Sequence, residues 1–176
     1  MQLLNGREVA AFHRERVERR LADIQEELHI QPELAIILVG DDAPSAMYAR
    51  SMQKTARRRL EGRNLSGTGS ISEVELLSLI DKLNEQASVF GILPMMPLPR
   101  HLNSQRIIDC IDPKKDVDGL TDVNIAHLYT GRPGFVPCTP RAVIAILDYY
   151  HISLSGKDVA SSAAATSSGN RWLSSA

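Results

Sequence analysis

Cysteine, net charge and long apolar runs are all scarce in this chain, and each scarcity removes a class of function. The two cysteines, Cys110 and Cys138, lie far apart and in no metal-ligand spacing, which excludes a disulfide framework or zinc site and leaves two reduced thiols. The formal net charge is -1, so no basic excess is available to neutralise phosphates, and nucleic acid is not an expected partner. The single basic run, Arg57-Arg58-Arg59, reads as a solvated helix end. No stretch approaches the roughly 18 consecutive apolar residues of a membrane span. The opening, MQLLNGREVAAFHRERVERRL, is charged too early and too often for a signal peptide. A cytoplasmic protein is expected, with neither membrane nor nucleic acid as partner. Also missing is a strand, glycine-rich turn and helix start of the kind that receives a dinucleotide pyrophosphate.

What is present is an ordinary globular composition, 43% hydrophobic and 23% charged over 176 residues, enough for one domain. Apolar residues Val9, Phe12, Val17, Leu21, Ile24 and Leu28 space as one helix face. Leu34 to Gly40 (LAIILVG) reads as a strand buried on both faces. A helix follows from about Ser45 to Leu60. Glu61 to Ser72 is polar and reads as a loop. Val74 to Asn84 is helical, Ser88 to Met96 (SVFGILPMM) is a second strand, and Ser104 to Ile111 is a short helix. After the charged loop DPKKDVDG, Pro140 to Tyr149 forms a last helix with proline in its first turn. Strands alternating with helices predict an α/β three-layer sandwich around a mostly parallel sheet.

Four segments carry a resemblance: LAIILVGDDAPSAMYARS (34–51), GILPMMPLPRH (91–101), DPKKDVDGLTDVN (112–124) and FVPCTPRAV (135–143). In this order they resemble the bifunctional methylenetetrahydrofolate dehydrogenase/methenyltetrahydrofolate cyclohydrolase family, and KDVDG and PCTPR are the most specific of them. The likeness runs over about residues 2–159. It implies the N-terminal member of two α/β domains, with folate in the cleft between them and NADP (or NAD) on a C-terminal Rossmann domain. The family oxidises 5,10-methylenetetrahydrofolate to 5,10-methenyltetrahydrofolate and hydrolyses that cation to 10-formyltetrahydrofolate. The intact family is a homodimer, paired mainly through the nucleotide domain. The present lobe is expected as a monomer or an aggregate that binds a tetrahydrofolate derivative weakly and NADP not at all.

The resemblance also assigns site residues. The family carries a proton-managing lysine four residues after a tyrosine, so that both side chains share a helix face. Here the tyrosine is Tyr48, expected to stack on folate, and the lysine position is Met52, which cannot act as acid or base. Lys54, two residues on, points about 200° away around the helix. The glutamine at the end of the family's strand GILVQLPLP is Met95 here, a weak acceptor at best. Asp118 in KDVDG matches the aspartate that hydrogen-bonds the pterin, while Asp116 is expected to make turn bonds of its own. Pro97, Leu98 and Pro99 are expected beside the pterin, and Thr139 and Pro140 at the start of the final helix. His101 reads as a surface or turn histidine. Ala126 and Ala142 stand where the family tends to have glycine, with crowding of a close backbone approach as the expected cost.

Residues 1–159 are therefore expected to form the folate-binding domain, and 160–176 (from ASSAAATSSGN onward), lacking any hydrophobic period, a disordered tail. One choice of synonymous codons for Ser161 to Ala176, preceded by a G and read one nucleotide out of frame, spells VIGRSNIVGEPLAIVG. That string is the phosphate-binding turn of the family's Rossmann domain, and the tail is expected to reflect a frameshift near codon 160. Three functions follow: an inactive or strongly impaired enzyme fragment, a folate enzyme of altered activity within a longer protein, and a non-catalytic folate-binding or pairing module.

Overall fold

The computed structural model describes residues 3–29, 31–56, 61–67 and 70–158, with the side chains of 28, 55, 56 and 61–67 outside that description. The run Arg57-Arg58-Arg59 and the tail from residue 160 thus lie outside the described residues. The elements are α1 (Gly6–Leu28), β1 (Glu33–Val39), α2 (Ala43–Ala56), β2 (Glu61–Gly67), α3 (Glu73–Glu85), β3 (Val89–Pro94), α4 (Ser104–Asp109), α5 (Asp122–Thr130) and α6 (Cys138–Tyr149).

The three strands form one parallel sheet in the order β2-β1-β3. The central strand, ELAIILV, is apolar on both faces, and the structure uses both. Ala35, Ile37 and Val39 pack with Leu76, Ile80 and Leu83 of α3 and with Ile107 of α4. Ile36 and Leu38 pack with Ala49 of α2 and with Leu93 and Met95. The period of two thus sorts one strand between two helical layers, which is the α/β sandwich expected. Burying Ile36, Ile37, Ile80 and Ile92, each 0–1% exposed, contributes about 1.5–3 kcal/mol apiece.

Two expectations are corrected. The polar stretch read as a loop contains β2, paired with β1 from Glu33↔Glu61 to Val39↔Gly67. Its sequence, EGRNLSG, carries no apolar alternation because β2 is an edge strand held by one backbone ladder. A helix not anticipated, α5, begins at Thr121, whose side chain accepts the Asn124 N–H, and ends at Gly131 with φ 66°.

The remaining elements fix loops. The end of α3 is capped by Lys115, whose Nζ donates to the carbonyls of Leu83 at 3.0 Å, Asn84 at 2.6 Å and Gln86 at 2.8 Å. A cation at a helix C-terminus also meets the favourable end of its dipole. The loop is pinned to the sheet as well: Ile92 N donates to Lys115 O at 2.8 Å, and Asp116 bridges Ile92 in parallel register. Gly91 permits this approach, since a Cβ there would lie 2.5 Å from Val117 Cγ1. On the outside, α1 and α6 pair through Phe12 and Tyr149, ring centroids 5.4 Å apart, and through Asn5 N donating to Tyr150 Oη at 2.9 Å.

Candidate functional site

The sheet topology dictates where a crevice opens. Beyond β1 the chain enters α2, on the face of Ile36 and Leu38. Beyond neighbouring β3 it passes Leu98 and Leu102 into α4, on the face of Ile37 and Val39. Adjacent parallel strands whose continuations leave to opposite faces have a gap outside their carboxyl ends, and ligands of open α/β sheets bind in such gaps.

Three segments with predicted site residues lie at this end of the sheet. From β1 come Gly40, at φ 90°, and Asp41-Asp42. Asp42 Oδ2 accepts the Ser45 N–H at 2.9 Å, and Ser45 Oγ donates to Met96 O at 3.1 Å, which stitches the start of α2 to the strap after β3. The Ser45 hydrogen bonds hold the Asp42 carboxyl below its ordinary range. From α2 come Tyr48, 60% exposed, and, one turn later, half-buried Met52. From β3 come Met95, 6% exposed, and the strap Met96-Pro97, joined by a cis peptide.

Met52 and Met95 meet in a single apolar cluster with Ile36, Leu38, Ala49 and Leu93, and Val117 packs against the same cluster. The helix of Tyr48 and the loop of Asp118 therefore share one patch of packing, with half-buried Asp118 next in the chain after Val117. Of the three strap residues, Pro97 is exposed and Pro99 is half-buried, whereas Leu98 turns into the α3-side core. Lys54 is exposed. His101 is an exposed residue whose Nε2 is 2.9 Å from Ile71 O.

Asp116 is the structural centre of the loop. It is 2% exposed and accepts from Leu120 N at 3.1 Å, Thr121 N at 2.8 Å, Thr121 Oγ1 at 2.8 Å and Asn124 Nδ2 at 2.9 Å. Turn bonds were expected of it; the Asn124 bond was not. Asn124, also 2% exposed, further donates to Pro113 O at 2.9 Å and accepts from Phe135 N at 3.2 Å. One amide thus locks the 113–121 loop to the segment before α6. Gly119, at φ 65°, completes the contact, because a Cβ there would lie 2.8 Å from Phe135 O. The residue pattern Thr-x-x-Asn hinted at this only through its capping threonine. Ala126 and Ala142 are exposed helix residues.

That lock brings Cys138 against the Val117 carbonyl, next in the chain to Asp118. Helix α6 starts at Cys138, after Pro137, with Pro140 buried in its first turn. Cys138 is an exposed residue; its thiol donates to Val117 O at 3.6 Å and is pushed up to about 11 by partial desolvation first, then by the nearby Asp118 carboxylate, with Arg141 opposing. The raised value means the folded state favours the protonated thiol. Its contribution to stability is present below the ordinary thiol value of 9.0 and is lost as pH rises from there to about 11. At pH 8 iodoacetamide is expected to alkylate Cys138 more slowly in the folded chain than in urea, the folded rate rising with pH. Equal rates in the two states would contradict the placement.

This end of the sheet thus carries a half-buried carboxylate, Asp118, an exposed aromatic, Tyr48, and two thioethers, Met52 and Met95. At positions 52 and 95 it presents no titratable group.

Comparison with known proteins meets this geometry. A family model described as the catalytic domain of tetrahydrofolate dehydrogenase/cyclohydrolase matches residues 4–118. A bifunctional protein FolD of Streptococcus agalactiae is 40% identical over 157 residues, which cover 89% of this chain and 55% of the relative. The Streptococcus thermophilus protein of the same name is 38% identical over 156 residues, 88% of this chain and 55% of the relative. The crystal structure of FolD from Campylobacter jejuni superposes with a TM-score of 0.91 at 34% identity, covering 99% of this chain and 62% of that one. The Trypanosoma brucei enzyme, solved with NADP cofactor and an inhibitor, gives 0.89 at 25% identity, covering 97% and 59%. The chain spans little more than half the length of the curated relatives it matches.

Proposed function

Because this chain belongs to the tetrahydrofolate dehydrogenase/cyclohydrolase family, we propose that its crevice binds a reduced folate and that the chain alone does not turn that folate over. Asp118 accepts N–H donors from the pterin edge, Tyr48 stacks on the ligand, and Pro97 and Pro99 border it, with Leu98 supporting them from the core. Met52 and Met95 occupy the positions where the resemblance puts lysine and glutamine, so neither can move or orient a proton there. In an intact protein of this family the reaction would be NADP-dependent oxidation of 5,10-methylenetetrahydrofolate and hydrolysis of the product to 10-formyltetrahydrofolate, in the cytoplasm. The observation that supports the binding reading is the cluster of Met52, Met95 and Val117, which joins the Tyr48 helix to the Asp118 loop.

NADP does not fit the described residues. A pyrophosphate needs a strand followed by glycine-rich backbone N–H groups at a helix start. Here β1 is followed by Gly40-Asp41-Asp42 and β3 by Met95-Met96-Pro97. Two carboxylates and a proline strap are the wrong lining for a phosphate anion. Dehydrogenation by this lobe would require a nucleotide site built elsewhere. We further propose that residues 160–176 are read in a shifted frame; DNA sequence across codons 155–176 without a dinucleotide motif in the adjacent frame would remove that idea.

Calorimetric titration tests the main proposal. Tetrahydrofolate is expected to bind with a weak, saturable 1:1 isotherm, while NADP gives no saturable heat at micromolar concentration. Absence of any tetrahydrofolate isotherm, or a clear NADP one, would overturn it.

A further inference from the structure

We propose that two copies of this chain pair through α1, antiparallel about a two-fold axis, with the arginines of each copy meeting the carboxylates of the other. The pairing does not depend on folate.

Helix α1 runs 23 residues, about 34 Å, and its firmest anchors lie in the first two turns. Val9 is 3% exposed, the Phe12 ring packs edge-on with Tyr149, and Tyr149 Oη donates to Glu8 Oε1 at 2.9 Å. From Arg14 to Glu27 no residue is buried. A helix in water draws most of its stability from packing one face.

The outward side of that half carries an ordered run of charge. At about 100° per residue, Arg16, Arg20, Asp23 and Glu27 fall within about 60° of one another. All four are exposed, and none makes an ion pair with another described residue. The stripe begins with two cations and ends with two anions. Its basic end is reinforced by His13 and Arg141, which line the same groove as Arg16 and Arg20. Its acidic end works against the helix dipole, because the last turn of α1 holds no basic residue. Beside the stripe lie Val17, 55% exposed, and half-buried Ile24, seven residues apart and so on one side of the helix.

This polarity selects the partner and its direction. Two copies laid parallel in register would set arginine on arginine. Turned antiparallel, Arg16 meets the partner's Glu27 and Arg20 meets the partner's Asp23, and symmetry forms each pair twice. The two-fold axis keeps the apolar flanks on the same side, so Val17 comes beside the partner's Ile24. The partner's Arg16 also supplies the cation that the C-terminal turn of α1 lacks. The patch is its own complement, which is what an isologous interface requires. Exposed ion pairs are individually weak and screened by salt, so the dimer is of moderate affinity and salt-sensitive.

Sedimentation equilibrium of the full chain tests this. At low salt a monomer–dimer equilibrium is expected, with Kd on the order of 10–100 µM, weakened roughly tenfold at about 0.5 M salt. Two charge variants decide the orientation. Arg16→Glu with Arg20→Glu makes the stripe wholly acidic, and Asp23→Arg with Glu27→Arg makes it wholly basic. Each variant alone is expected to stay monomeric, and an equimolar mixture to form a one-to-one heterodimer. Circular dichroism of each variant checks that the helices are intact. A wild-type chain that stays monomeric up to about 0.5 mM at low salt overturns the pairing and leaves the stripe to another occupant. Association of the wild-type chain that neither salt nor either variant weakens also overturns it, as does a mixture that remains monomeric.

Discussion

Replacing Asp116 by alanine is expected to destabilise the chain by about 3–4 kcal/mol, the cost of leaving several buried donors without their charged acceptor. The carboxylate is 2% exposed and accepts from two backbone N–H groups, a hydroxyl and an amide. Water cannot replace it without entering the packing. Asp116→Asn should cost roughly half as much, since an amide oxygen still accepts two of those bonds while its NH2 faces donors. Urea midpoints at constant m-value would measure both. A loss below about 1 kcal/mol for the alanine variant would mean that the loop is not held by this residue. Folate binding should fall with the alanine variant as well, because the carboxylate fixes the path on which Asp118 sits.

The second large effect separates binding from folding. Asp118→Asn is expected to weaken tetrahydrofolate binding by roughly ten- to a hundredfold, the equivalent of about 1.5–3 kcal/mol for a hydrogen bond to a charged group. Stability should change little, since Asp118 is half-buried and its carboxylate, unlike that of Asp116, does not tie backbone groups together. An asparagine keeps the shape and one acceptor oxygen but loses the charge and adds a donor. Unchanged affinity in this variant would place the ligand elsewhere, whatever the family resemblance.

Comparison of these two aspartates shows what could be read in advance. Asp118 is singled out only by the motif KDVDG, whereas the turn bonds expected of Asp116 are present. Neither reading contained Asn124, because the bonds to Asp116, Pro113 and Phe135 join residues up to eleven apart in sequence. No local pattern encodes such a link. The bond from the Cys138 thiol to Val117 O spans twenty-one residues and is just as invisible to local pattern.

Elsewhere the division follows burial. β1 is apolar on both faces and was plain, because a central parallel strand must bury both rows of side chains. α3 was plain too, carrying Leu76, Ile80 and Leu83 at helical spacing and a capping box between Ser72 and Glu75. β2 was hidden because an edge strand is fixed by backbone pairing, which polar side chains permit. α5 was hidden because Asn124 is its buried residue, so it lacks the apolar stripe that announces a helix. The corrected elements are those in which the backbone or a polar network, rather than apolar periodicity, holds the chain.

The central claim is that the gap outside β1 and β3 is where a folate sits. Methionine methyl groups report on it, since Met52 and Met95 pack in the cluster between α2 and the sheet and Met96 follows in the strap, while Met1 is remote in sequence. In a chain labelled with carbon-13 at the methionine methyls, tetrahydrofolate titration is predicted to shift the Met52 and Met96 resonances in a saturable way and leave Met1 in place. Resonances of Met52, Met95 and Met96 that stay fixed through a titration in which calorimetry records binding would contradict the account.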